Sequence, residues 1–266
     1  MFQLIITEFI KLKRQSIIWI GIIAVFISAI LAAFQSNSNE GDVTYEVFYN
    51  NVIWNNFSLA FPFMIVLIGG YLINREYTDQ TLKTMLTVPV SFRKMLIGKM
   101  IVIGILSLLF GIASFIISIL LSMIFGFGGF SAPILFKALY QITAIGFFNY
   151  LAVLPIIAYF SRKKDSFFAG VGLAFFYGVC GIFAAGRNLN DVYPITSGLG
   201  LTQYTNIDLS ATNPIIGISS LMLMIFLTAL LIFKSPKYEK VMAGSEKKRQ
   251  EGKRNVRKRN ITHGFL

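Results

Sequence analysis

The sequence predicts an all-α integral membrane protein with six transmembrane helices and both termini in the cytoplasm, and three observations carry that prediction. Apolar residues fill 55% of the 266 positions and the mean hydropathy is +0.68, far from the balance of a soluble domain. Six stretches contain no Asp, Glu, Lys or Arg: 16–34, 57–74, 100–125, 138–161, 166–186 and 209–233. Each is close to or above the roughly 20 residues that cross about 30 Å of hydrocarbon. Finally, if the chain alternates sides at each span, 22 of the 24 Lys and Arg residues fall on one side with 7 acidic residues, and 2 fall on the other with 5. Basic residues in short loops mark the cytoplasmic side, and the asymmetry independently favours an even number of spans.

Taken in order, the leading segment MFQLIITEFIKLKR spaces Phe2, Ile5, Ile6, Phe9 and Ile10 at near-helical intervals and ends in Lys11, Lys13 and Arg14. It predicts an amphipathic helix lying in the inner interface, with a turn near Gln15. The basic lead-in also fits a signal peptide, but the apolar run that follows exceeds the usual 7 to 15 or so residues and lacks a small-x-small cleavage pattern. It reads as a first span. The next outer loop is acidic and Asn-rich, then aromatic, and Tyr45, Phe48, Tyr49 and Trp54 suit an interfacial segment. The run FGFGGFSAP reads as a tight turn, since the spacing of a dinucleotide fingerprint fails. The last outer connection is broken by Pro194, Gly198 and Gly200 and is expected to fold back as short helices at the outer surface, partly dipping into the membrane.

Inside the spans, Gly170, Ala174 and Gly178 recur every fourth residue and predict a face on which another helix approaches closely; Ala24, Ser28 and Ala32 do the same. A polar stripe of Ser107, Ser114, Ser118 and Ser122 follows one side of the third span. Lining of a pathway and plain helix packing are both consistent with it. Gln141 and Asn149 in the fourth span are the most polar further candidates.

Several function classes lose support here. The span interiors hold no ionisable side chain of the kind ion-coupled carriers retain. One cysteine, Cys180, and one histidine, His263, leave no set for a thiolate or histidine metal site, and no catalytic constellation is expected. The tail KKRQEGKRNVRKR carries 8 basic residues in 13. Residues 237–266 thus read as a disordered cytoplasmic tail after a single permease domain, 1–236. Just past a span, such a tail attracts anionic lipid; no aromatic interleaving points to nucleic acid.

The polar stretch INREYTDQTLKTMLTVPV, 73–90, lies on the predicted cytoplasmic side between the second and third spans. Thr78 is placed to cap a helix, Asp79 and Lys83 to pair at i, i+4, and Pro89 to end it, while Leu82, Met85 and Leu86 form an apolar strip. A short helix of this kind suits docking into a groove on a soluble partner. The run from Glu76 through Thr81, Leu82, Lys83, Leu86 and Pro89 to Arg93 and Lys99 resembles the cytoplasmic loop of type-2 ATP-binding-cassette permeases, with Gln80 where relatives commonly carry Gly and Arg93 one place later than usual.

That resemblance implies the membrane half of an exporter, with 76–88 as the coupling helix. It implies a second permease, identical or not, and a separate cytoplasmic ATPase that carries ATP and Mg; this chain binds no cofactor itself and has no G-x-x-x-x-G-K-[ST] loop. Small size and an aromatic, uncharged interior resemble permeases for bacitracin-like, lantibiotic or toxin peptides in a bacterial plasma membrane. Lipid, drug or polysaccharide cargo is the alternative, and a non-transporting membrane scaffold is the rival from another class.

Overall fold

A computed structural model describes residues 2–13, 15–37, 43–78, 92–160, 166–187, 189–205 and 212–234. Among these, helices account for nearly every residue and the only β feature is an isolated bridge between Thr44 and Gly128. In chain order they are α1 (Phe2–Lys13), α2 (Ile17–Asn37), α3 (Tyr45–Asn55), a π-helical turn (Asn56–Ala60), α4 (Phe61–Thr78), α5 (Phe92–Phe125), α6 (Ala132–Phe160), α7 (Phe167–Ala185), α8 (Pro194–Leu201) and α9 (Pro214–Phe233).

Among the described residues, six elements are long and apolar enough to span a membrane, one over each stretch expected from sequence: Ile17–Asn37, Tyr45–Glu76, Arg93–Phe125, Ala132–Phe160, Phe167–Ala185 and Pro214–Phe233. The second and third overshoot. At 1.5 Å per residue, the 34 residues of α5 measure about 50 Å, so its basic start, with Arg93, Lys94 and Lys99, extends past the hydrocarbon. Ile23, Phe26, Phe176, Phe183 and Phe226 are exposed around the bundle, as expected of side chains that face acyl chains.

The aromatic segment before the second span packs inside the protein rather than lying open on its surface. Tyr45, Phe48, Tyr49, Val52 and Ile53 are fully buried, because α3 runs on through the π turn into α4 and sits inside the bundle. Thr44 starts α3 by accepting a hydrogen bond from the Val47 amide. The turn after α5 needs glycine at two places, Gly126 (φ 75°) and Gly129 (φ 83°), where side chains are strained. It delivers the Gly128 carbonyl to the Tyr45 amide at 2.8 Å.

α8 is the fold-back helix expected in the last connection. Pro194 occupies its first turn, and Ile195, Thr196, Ser197 and Leu199 are wholly buried against the protein. Gln141 of α6 donates to the carbonyls of Thr202 and Gln203 at 2.9 and 3.0 Å, and the Asp191 carboxylate accepts from the Asn213 amide. Irregular backbone is thereby satisfied by the chain itself.

Candidate functional site

Where α1, the end of α4 and the start of α5 meet, four charged side chains close into a ring. Glu8 lies on α1, one helical turn before Lys11; Glu76 lies near the end of α4; Lys99 lies in the third turn of α5. Lys99 Nζ is 2.5 Å from Glu8 Oε2 and 2.9 Å from Glu76 Oε1. Lys11 Nζ is 3.0 Å from Glu8 Oε1 and 3.3 Å from Glu76 Oε1. Each ammonium therefore touches both carboxylates.

Burial sets the energetics. Glu8 and Glu76 are each 5% exposed and Lys99 is 2% exposed, whereas the Lys11 side chain is 42% exposed. Charges that deep are tolerated only when paired and hydrogen-bonded, and the ring is neutral overall. Burial by itself lowers the Lys11 pKa, but the hydrogen bond and charge of Glu8 together with Glu76 outweigh it and hold the ammonium above its ordinary 10.5.

The ring stands where the chain leaves α4 towards residues 79–91. Glu76 enters that segment, and Arg93 leaves it. The Arg93 guanidinium donates to the Phe233 carbonyl at 2.7 Å and lies 5.9 Å from the Phe233 ring centroid, so it caps the C-terminal end of α9. The residues flanking the segment are thus fastened to other helices: Glu76 to α1 and α5, Arg93 to α9. Thr81, Leu82, Lys83, Leu86 and Pro89 lie outside the described residues.

The remaining residues singled out in the sequence sit deeper. Ser107, Ser114, Ser118 and Ser122 are all fully buried within this one chain. Ser114 accepts from Asn56 Nδ2 at 2.8 Å, and Asn56 Oδ1 accepts from Ser28 at 2.7 Å, which ties α2, the π turn and α5 together. Ser118 and the Tyr45 hydroxyl share a 3.1 Å bond. Ser107 bonds back to the Gly104 carbonyl at 2.7 Å. Asn149 donates to the Ile145 carbonyl at 3.0 Å, and its Oδ1 has no partner among the described residues.

Gly170, Ala174 and Gly178 line the buried face of α7. Gly178 packs on the π turn so closely that a Cβ there would lie 2.0 Å from the Ser58 carbonyl oxygen. Beside it, an apolar cleft of about 280 Å³ opens between α2, α4 and α7, with Ser28 and Asn55 in its wall and Ile27, Phe63 and Phe175 around them.

Sequence reasoning missed Glu8 and Lys11 as site residues, and it assigned Lys99 only through resemblance. One signal was present: a lone carboxylate on an otherwise apolar helix face needs a counter-charge. The π turn had no such signal.

A family model described as ABC-2 family transporter protein matches residues 4–181 of the 266. No curated protein matches the chain. The matched region runs from α1 through α7, and so contains the ring, the 79–91 segment and the π turn. With six membrane-crossing helices and a match over more than half its length, this multi-pass protein of the cell membrane belongs to the ABC-2 family of transporter proteins as the membrane component of an ABC transporter.

Proposed function

We propose that this chain is the permease of an exporter powered by a separate cytoplasmic ATPase, and that residues 76–88, which begin in the last residues of α4, form the coupling segment through which the ATPase acts. Two copies of the ATPase would bind ATP with Mg and close, while two permeases complete the pathway. The observation that carries this reading is the double anchorage of the 79–91 segment. Its entry residue Glu76 is fixed by Lys99 and Lys11, and its exit residue Arg93 by the end of α9. A load applied to a loop held at both ends reaches several spans as rigid-body motion.

The charge distribution supports a sidedness. α1, Glu76, Arg93 and the end of α9 lie at one end of the bundle, and the excess of basic residues on that side of the spans supports a cytoplasmic position for it. The basic residues 247–259 would then face anionic lipid headgroups. For cargo we favour an amphipathic peptide of the antimicrobial, lantibiotic or toxin type. An apolar cleft with one amide and one hydroxyl side chain in its wall suits the apolar face of such a molecule.

The test is purification of the complex through this subunit. A soluble ATPase should co-purify, and its hydrolysis should be stimulated by cationic amphipathic peptides. Charge reversal at Lys83, or Leu82→Pro, should separate hydrolysis from transport while the spans stay folded; normal transport in both variants would remove the coupling assignment. A pure six-span protein with no ATPase under gentle conditions would point to a scaffold.

A further inference from the structure

Resting on the coupling role proposed for 76–88, we infer that the Glu8–Lys11–Glu76–Lys99 ring is a joint through which displacement of that segment is delivered to α1 and hence to the first span. Glu8, Lys11 and Lys99 are positioning residues for the transport cycle.

The ring's connectivity supports this. Two ammoniums and two carboxylates form all four possible opposite-charge pairs, at 2.5 to 3.3 Å, across three separate helices. Opening any one pair leaves every charge with at least one opposite neighbour. α1 can therefore shift against α4 and α5 without leaving a bare buried charge, which is the costly event in an isolated ion pair. Apolar packing would resist such movement, because packed cores do not deform continuously.

Apolar packing beside the ring is partial. A cleft of about 310 Å³ separates Phe9 and Leu12 on α1 from Leu106 and Phe110 on α5, and Ile6 and Ile10 are exposed on the far face of α1. Leu12 is buried and Ile5 and Phe9 pack on the core, so apolar contact holds part of α1 and the charges supply the rest of the attachment. From Lys13 the chain needs only a short turn, in which the Gln15 amide bonds to the Leu12 carbonyl at 2.8 Å, before α2 begins at Ile17. A movement of α1 therefore reaches the first span directly.

The experiment uses the whole complex with its ATPase, in nanodiscs, with spin labels on Ile10→Cys and Phe136→Cys in a Cys180→Ser background. Both label sites are exposed. Trapping with ATP and vanadate should shift the distance between labels by on the order of 2 Å or more, in the range of helix shifts that accompany switching. The double substitution Glu8→Gln with Lys11→Gln leaves Lys99 and Glu76 as a balanced pair and should abolish the shift. Glu8→Asp with Lys11→Arg, which keeps the charges, should restore it.

An unchanged distance in the unsubstituted protein while ATP is hydrolysed would overturn the inference. So would a shift that survives the neutral double substitution, or one lost equally in the charge-keeping variant, which would make it a packing effect. If the neutral variant fails to assemble, Lys11→Gln alone, at the half-exposed member, should reduce the shift, and a full shift there overturns the joint. Absence of any co-purifying ATPase would instead sink the transporter reading itself.

Discussion

The charge ring under α1 and the neutral polar cluster around Asn56 are both buried, both cross three elements, and are built from opposite materials. At the ring, two carboxylates and two ammoniums sit where α4 and α5 extend past the hydrocarbon, so half-exposed Lys11 still reaches solvent. At Asn56, deep in the bundle, Ser28 and Ser114 are linked by one amide that both accepts and donates. Full charge at that depth would be far more expensive. Charged pairs attract over a range of geometries and can exchange partners, whereas an amide bond of 2.7 or 2.8 Å is directional and holds one arrangement. The first region is suited to move and the second to stay fixed.

Removing one charge tests this contrast most harshly. Lys99→Gln leaves two buried carboxylates sharing one half-exposed ammonium, and breaking a buried ion pair from one side costs about 3–5 kcal/mol. A large fall in the detergent melting temperature is expected, with Lys99→Arg much milder. Gly178→Ala comes next. Its new Cβ meets backbone at 2.0 Å, so α7 must shift off the π turn at about 1–3 kcal/mol, while Gly172→Ala, with nothing within 4 Å, should be neutral or slightly stabilising in the same melts.

Smaller still is Asn56→Leu. Interhelical hydrogen bonds within membranes average about 0.6 kcal/mol, so loss of two should amount to roughly 1 kcal/mol, with no effect on nucleotide-driven motion of α1 if the cluster is a fixed element. Replacement of Lys11 gives a pH signature. Its pKa is raised on folding, so its contribution is fully present below 10.5 and is lost as pH rises through the higher folded value. The gap in melting temperature between the unsubstituted protein and Lys11→Met should be flat through neutral pH and close only above 10.5, and solvent screening keeps it below about 1 kcal/mol. The exposed pair Glu46–Lys137, at 3.4 Å, should contribute less than any of these, and its double-mutant coupling should be near zero.

Much of the architecture was legible in the chain. Hydropathy located all six spans because the bilayer makes apolar length an almost sufficient condition for a crossing helix. The turn at Gly126–Gly129 and the fold-back helix at Pro194 were readable from Gly and Pro, whose backbone preferences are local. That Tyr45, Phe48 and Tyr49 would be buried within the protein was not readable, since aromatics suit a membrane interface and a packed interior equally well, and it is the continuity of α3 with α4 that buries them.

The sequence by itself determined the solvent this protein lives in, the number of its spans and the sidedness that its basic residues propose, because these depend on composition summed over local windows. Tertiary structure alone decided that Glu8 meets Lys99, 91 positions away, that Ser114 meets Asn56, and that Gly178 faces a π turn. Partner choice between buried polar groups depends on how helices lie against one another, and that arrangement is fixed by packing over the whole bundle rather than by any segment of the chain.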